Sequence, residues 1–261
     1  MQFSDVLATM VRDGDDWVAT ISDDWLQGRS VFGGLQAALA LRAMRQHAPP
    51  SIPLRTLQVT FVAPVPAGTL RVQSRLLRRG GSATQVEARI VDGDATLLLA
   101  VGVFGVARES VVVVAPPAAP APGDGDARLR WVPGITPAFT QHFDARWRRG
   151  GLPFSGSTMR EQQIEIALKD RGPCDESHVV AFADFIPPIA LAMLDRVVAG
   201  SSMTWMLELL VDDVSTQPLA GWRVDAHLDA AAHGYTTQSL VLRAPDGTPV
   251  AIGAQSMVVF G

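Results

Sequence analysis

The chain has 261 residues, 48% of them hydrophobic, with 22 basic against 26 acidic side chains and a formal charge of −4. That suffices for a full core in one large domain or two small ones, and scattered arginines on a slightly acidic chain argue against a nucleic-acid partner. No apolar run approaches the roughly 20 residues that span a bilayer, and Met1-Gln2-Phe3-Ser4-Asp5 has no basic stretch leading into an apolar one, so no membrane span and a cytoplasmic location are expected.

In chain order, the first well-marked element is a helix over Gly34 to His47, with Leu35, Leu39 and Ala43 or Met44 near helical spacing and a stop at Pro49-Pro50. Four runs of strand character follow, Arg55 to Ala63, Thr69 to Arg78, Thr84 to Val91 and Thr96 to Val106. Gly80-Gly81 and Asp92-Gly93 stand where tight turns would fall. A Pro, Ala and Gly-rich stretch, Ala115 to Asp126, then reads as an extended connector. Beyond it, Phe143-Asp144-Ala145-Arg146 and Gln162-Gln163-Ile164-Glu165-Ile166 suit strands without a secure place. Val179 to Ile186 is strand-like, and Pro188 to Val198 reads as the helix of the second half, because Pro suits a first helical position. Strand-like runs close the chain at Met203 to Val211, Trp222 to Leu228, Tyr235 to Leu242 and Pro249 to Phe260.

The two halves repeat one text. Thr56-Leu57-Gln58-Val59-Thr60-Phe61-Val62, Thr84-Gln85 and Val103-Phe104-Gly105 return as Thr204-Trp205-Met206-Leu207-Glu208-Leu209-Leu210, Thr237-Gln238 and Val259-Phe260-Gly261. The offset is 148 residues at the first block (204 minus 56) and 156 at the last (261 minus 105), far beyond a solenoid period of roughly 20 to 50. Two similar modules are expected, over 1–110 and 127–261, joined by a linker over 111–126. Each would wrap an antiparallel sheet around a helix that must bury its apolar face.

Most catalytic motifs are absent: there is no Gly-x-Ser-x-Gly, His-Glu-x-x-His, Walker loop or Gly-x-Gly-x-x-Gly. Five histidines show no ligand spacing, and the single Cys174 has no partner for a disulfide or a thiolate cluster, so no metal is expected. The informative segment is Arg29-Ser30-Val31-Phe32-Gly33-Gly34, which runs straight into the first helix. Paired glycines there let a substrate approach unpaired amide N–H groups and the positive end of the helix dipole, an arrangement that can polarise a carbonyl. The same glycines equally suit a tight turn and close packing.

Arg29-x-Val31-Phe32-Gly33-Gly34, Phe61-Val62-Ala63-Pro64-Val65, Leu77-Arg78-Arg79-Gly80-Gly81-Ser82 and Ala254-Gln255-Ser256 together resemble the bacterial acyl-CoA thioesterase II family and its thioesterase-like relatives. The resemblance covers nearly the whole chain outside the linker and the stretch after it. It implies an α+β double hotdog fold and hydrolysis of acyl-CoA to free acid and CoA, with CoA entering as part of the substrate and no separate cofactor. It also implies a site between the two hotdogs, where an Asp, a Thr or Ser, and a Gln position a water. By position Gln255 matches the family's Gln, while the family's Asp falls on Thr204.

Thr204 and Gln255 can orient a water but cannot accept its proton, so a carboxylate is needed from elsewhere. Asp229, close to the family's Thr or Ser position, is the first candidate, and Glu208, on the same strand face as Thr204, is the second. Gly33 and Gly34 are expected at the thioester carbonyl, with Phe32 and Arg29 beside the substrate. A non-catalytic acyl-CoA or lipid-binding protein on the same fold is the alternative, motivated by Thr204. A hotdog hydratase ranks last, for want of an Asp-x-x-x-x-His arrangement. Uncovered sheet edges favour association, so a homodimer or higher homo-oligomer is expected.

Overall fold

The computed structural model describes residues 1–260; Gly261, the last letter of the second Val-Phe-Gly and of the expected C-terminal module, lies outside the described residues. Helix α1 (Phe3–Ala8) and the strands β1 (Val11–Asp13) and β2 (Asp16–Ile21) open the chain, and a short pair, β3 (Leu26–Gln27) and β4 (Ser30–Val31), leads into helix α2 (Gly33–Met44). The meander β5 (Leu54–Phe61), β6 (Gly68–Arg79), β7 (Ala83–Asp92) and β8 (Ala95–Gly105) follows, each boundary within two residues of its expected run. Alternate residues of these strands, among them Leu70, Val72, Val86, Ala88, Leu98 and Ala100, point inward onto α2, as period two requires.

After the linker come β9 (Ala127–Arg128), β10 (Phe143–Arg149), β11 (Glu161–Leu168), α3 (Glu176–Asp184), a single turn α4 (Ile189–Ala192), β12 (Gly200–Leu209), β13 (Trp222–Ala232), β14 (Tyr235–Arg243) and β15 (Pro249–Val259). Two expectations are corrected here. The helix of the second half is Glu176–Asp184, where a strand was expected, and Pro188 to Val198 supplies only Ile189–Ala192. Asp175 starts α3 by accepting hydrogen bonds from the Ser177 and His178 amides. Its run Val179-Val180-Ala181-Phe182-Ala183 is buried all round, so it shows no amphipathic period, and its β-branched valines imitate a buried strand.

All the long strands belong to one antiparallel sheet of 13 strands in the order β1-β2-β6-β7-β8-β5-β12-β15-β14-β13-β11-β10-β9. The halves join where β5 pairs β12, with Thr60 opposite Thr204, Gln58 opposite Met206 and Thr56 opposite Glu208. This register maps Thr56 onto Thr204, Gln58 onto Met206 and Thr60 onto Glu208 about one pseudo-twofold axis. Only the first repeated block follows that axis: the same pairing matches Val103 with Ser256 rather than Val259, and Gln85 with Thr237 rather than Gln238. The result is the double hotdog: two antiparallel sheets fused edge to edge, each wrapped on its own helix. The outermost strands, β1 and β9, have 3 and 2 residues and pair only with Asp16–Val18 of β2 and with Arg146 and Trp147 of β10.

Helices α2 and α3 pack against each other across the same axis, running in opposite directions. At one end Arg45 grips the Glu176 carboxylate with two hydrogen bonds. At the other the backbones nearly touch, because a Cβ on Gly34 would stand 3.0 Å from the Ala181 Cα. Close helix packing is therefore one reason for the second glycine. No helix among the described residues is long and apolar enough to cross a membrane.

Candidate active site

The C-terminal end of α3 meets the N-terminal end of α2, and a carboxylate stands at the junction. Asp184 is the last residue of α3, is 9% exposed, and accepts a 2.7 Å hydrogen bond on Oδ1 from Gln255 Nε2. Its Oδ2 lies where a Cβ of Gly33 would be, 2.6 Å from that position, so only glycine leaves room for it. Gly33 and Gly34 are the first two residues of α2, whose N–H groups have no intrahelical acceptor. Burial pushes the Asp184 carboxyl up to about 7, against the opposing pull of Gln255 and the Gly34 amide. A carboxyl that titrates near neutral pH can take up a proton and give it back.

Gln255 is held in one orientation from behind. On β15 it faces inward beside Trp205 of β12 and Gln238 of β14. The Ile189 amide donates to Gln238 Oε1 at 2.9 Å, Gln238 Nε2 donates to Gln255 Oε1 at 3.4 Å, and Gln255 is left with its Nε2 aimed at Asp184. Gln238 belongs to the repeated Thr-Gln pair, yet the two copies face opposite ways: Thr84 is buried and Gln85 exposed, whereas Thr237 is exposed and Gln238 buried. A shift of one residue along a strand exchanges its two faces.

The expected site residues divide accordingly. Gln255, Gly33 and Gly34 come together at Asp184. Arg29 is exposed at the β3 to β4 turn and lines a cavity of about 430 Å³ that also reaches Gly33, Phe61, Ser201 and Asp184. Phe32, the residue before α2, is fully buried and stacks on Phe139 at 4.2 Å, one layer behind the cavities. Thr204 is exposed, because its neighbour Trp205 takes the inward position opposite Gln255. Asp229 is also exposed, bonded to His227 Nδ1 at 3.0 Å and Ser239 Oγ at 3.1 Å. Glu208 shares the outer face with Thr204, where Thr56 Oγ1 donates to it at 3.3 Å. The structure therefore brings none of Thr204, Asp229 and Glu208 to Gln255.

Sequence reasoning missed Asp184. A signal was present, since it is the single acidic residue between Glu176 and Asp195, in a stretch otherwise apolar enough to be core. Burying an ionisable group in such a run demands a partner or a shifted pKa. Cys174, by contrast, is buried at the foot of α3 with its thiol pushed up to about 12 by burial and then by Asp175, which leaves it unreactive.

Family models cover nearly all of this architecture. The acyl-CoA thioesterase N-terminal domain matches residues 21–105 and the acyl-CoA thioesterase C-terminal domain matches residues 114–259. The chain belongs to the acyl-CoA thioesterase family. Among solved structures this thioesterase-family fold is similar to a conserved protein of unknown function with a hot dog fold from Alicyclobacillus acidocaldarius, at 22% identity and a TM-score of 0.85 over 99% of this chain and 98% of that one. It is similar also to the tesB protein of Mycobacterium avium subs paratuberculosis, at 18% identity and 0.79 over 100% of both chains. An acyl-CoA thioesterase II from Mycobacterium marinum matches at 16% identity and 0.73, over 100% of this chain and 97% of that one. Comparison with curated proteins finds no sequence match.

Proposed function

We propose that the protein hydrolyses acyl-CoA thioesters to free acid and CoA, with the reaction centred on Asp184 where the two hotdogs meet. The observation that carries this reading is a buried carboxylate, poised near neutral pH, held by an oriented amide at a glycine helix start. The thioester carbonyl oxygen would lie at the Gly33 N–H, where the positive end of α2 stabilises the charge that develops on it. Asp184, ionised, takes a proton from a water as that water's oxygen bonds to the carbonyl carbon. The tetrahedral adduct then collapses with cleavage of the carbon to sulfur bond, and the proton on Asp184 passes to the departing CoA thiolate. Water is consumed and the carboxyl is regenerated. Gln255 keeps Asp184 in place through its Nε2, and general-base assistance of this kind contributes about 10²–10⁴-fold. Arg29, exposed and lining the larger cavity, would meet the phosphates of CoA.

The case for a non-catalytic binder rested on the threonine at position 204. Asp184 supplies the carboxylate from the helix instead, and that motive falls away. The deciding experiment is release of free thiol from a panel of acyl-CoAs by the purified protein. Cleavage of at least one chain length supports hydrolysis; binding without release at any length would sink it.

A further inference from the structure

Asp184 lines two cavities. The larger, of about 430 Å³, carries Arg29, Ser30, Gln36, Ser201 and Ser202 among its walls. A second chamber of about 110 Å³ lies beyond the carboxyl, with Leu129, Phe139, Trp147, Pro153, Phe185 and Pro188 among its walls. Gln27 and the Gly200-Ser201-Ser202 segment border both, so a molecule whose reacting atom sits at Asp184 can extend one end into each.

We propose that the smaller chamber is the acyl pocket and that its aromatic wall of Phe139, Trp147 and Phe185 restricts the protein to short acyl groups. The inference rests on the thioesterase reading of Asp184 and adds the substrate class to it. An apolar cavity of about 150 Å³ accommodates benzene, so by proportion about 110 Å³ takes four or five carbon atoms. The larger cavity has mixed walls, with Phe61, Val62, Met203 and Phe260 beside the serines, and its exposed Arg29 suits the phosphates of the CoA arm.

The wall is braced against widening. Phe139 lies flat on Phe32, with ring centres 4.2 Å apart and planes 4° apart, and Phe32 is itself fully buried. His142, three residues along the same turn, stacks on Trp25 at 4.1 Å. Phe185 is wedged between Phe143 at 4.8 Å and Trp147 at 6.5 Å. The Trp147 indole donates to Gln162 Oε1 at 3.3 Å, and Gln162 Nε2 is tied in turn to the Gly151 carbonyl at 2.9 Å. A longer chain would have to break these stacks in a close-packed interior.

Binding of the non-hydrolysable thioethers S-butyl-, S-hexyl-, S-decyl- and S-hexadecyl-CoA to the full chain, measured calorimetrically, tests the proposal. An unconfined apolar groove would tighten about fourfold per added methylene. The aromatic-walled chamber instead holds butyl or hexyl tightest and decyl and hexadecyl at least about tenfold weaker, because misfit methylenes are penalised. Tightest binding by the longest chain overturns the proposal. Phe139→Leu and, as the milder change, Trp147→Phe open the wall without touching Asp184 or Gln255, and each should improve decyl binding relative to butyl by about tenfold. An unaltered ladder in both folded variants also overturns it. Thiol release from butyryl- and decanoyl-CoA separates the two readings. An intact ladder without cleavage rejects hydrolysis and keeps the pocket; cleavage with decanoyl preferred keeps hydrolysis and rejects the pocket.

Discussion

Replacing Asp184 by Asn should make the protein more stable while removing its activity. The carboxyl moves from an ordinary aspartate value of 3.8 to about 7 on folding, chiefly because burial disfavours its charge. Its folded pKa is therefore above its unfolded one, and the folded state holds the proton more tightly. Folding loses stability as pH rises from 3.8 to about 7, and the full cost applies above that. At about 1.4 kcal/mol per pH unit the cost is roughly 4 kcal/mol, which corresponds to about 10 °C in Tm for a chain of this size. Asn is isosteric, is never charged, and still offers an oxygen to Gln255 Nε2. Thermal unfolding of wild type and Asp184→Asn, followed by circular dichroism or calorimetry from pH 4 to pH 8.5, should give coincident Tm values near pH 4 and a gap that opens toward pH 8. Thiol release by the variant should fall by about 10²-fold or more. A variant no more stable than wild type at pH 8, or equally stabilised at pH 4 and pH 8, would refute the reasoning.

Other expectations follow from the same geometry. Gln255→Ala leaves Asp184 without its side-chain donor and should lower kcat by about 10²-fold, whereas Asp229→Ala, on the outer face, should leave kcat within about twofold; equal effects would place the site wrongly. Gly33→Ala sets a methyl 2.6 Å from Asp184 Oδ2 and 3.0 Å from the Phe61 ring, so activity should drop about 10²-fold while the variant stays folded, as read by kinetics beside a thermal melt. His178 is buried; burial lowers its pKa, but hydrogen bonds to Asp170 and Asp175 outweigh this and raise it to about 9. The stabilisation it gives, about 3 kcal/mol, is complete below pH 6.5 and is lost as pH rises through about 9, so His178→Asn should narrow its Tm deficit across that window. A deficit independent of pH would show that His178 acts only by packing.

From α2 to β8 the N-terminal half was legible to within a few residues, because its strands bury one face and its helix is followed by prolines, whereas α1 and the strands β1 to β4 were not anticipated. The C-terminal half hid its helix, since α3 lies between α2 and the sheet and is apolar on every side, while Pro187-Pro188 offers a helix start that lasts one turn. Gln255 and the Gly33-Gly34 pair, expected from motif and position, lie together beside Asp184. Thr204 and Asp229 were drawn in by position alone. Strand alternation places Trp205 and Leu207 inward and so turns Thr204 and Glu208 outward. Asp184 escaped because its contacts with Gly33 and Gln255 join residues far apart in the chain, and no local spacing announces them. The first repeated block marks the pseudo-twofold axis, whereas the proposed site occurs once: one half brings the glycine helix start, the other brings Asp184, Gln255 and Gln238.

The pH dependence of thiol release is the most direct measurement of whether Asp184 carries the chemistry. For wild type, kcat/KM on a cleaved acyl-CoA should rise tenfold per pH unit below a single ionisation near 7 and level off above it, and the residual rate of Asp184→Asn should lack that step. A wild-type profile that is flat between pH 5.5 and pH 8.5, or the same step persisting in Asp184→Asn, would contradict the assignment.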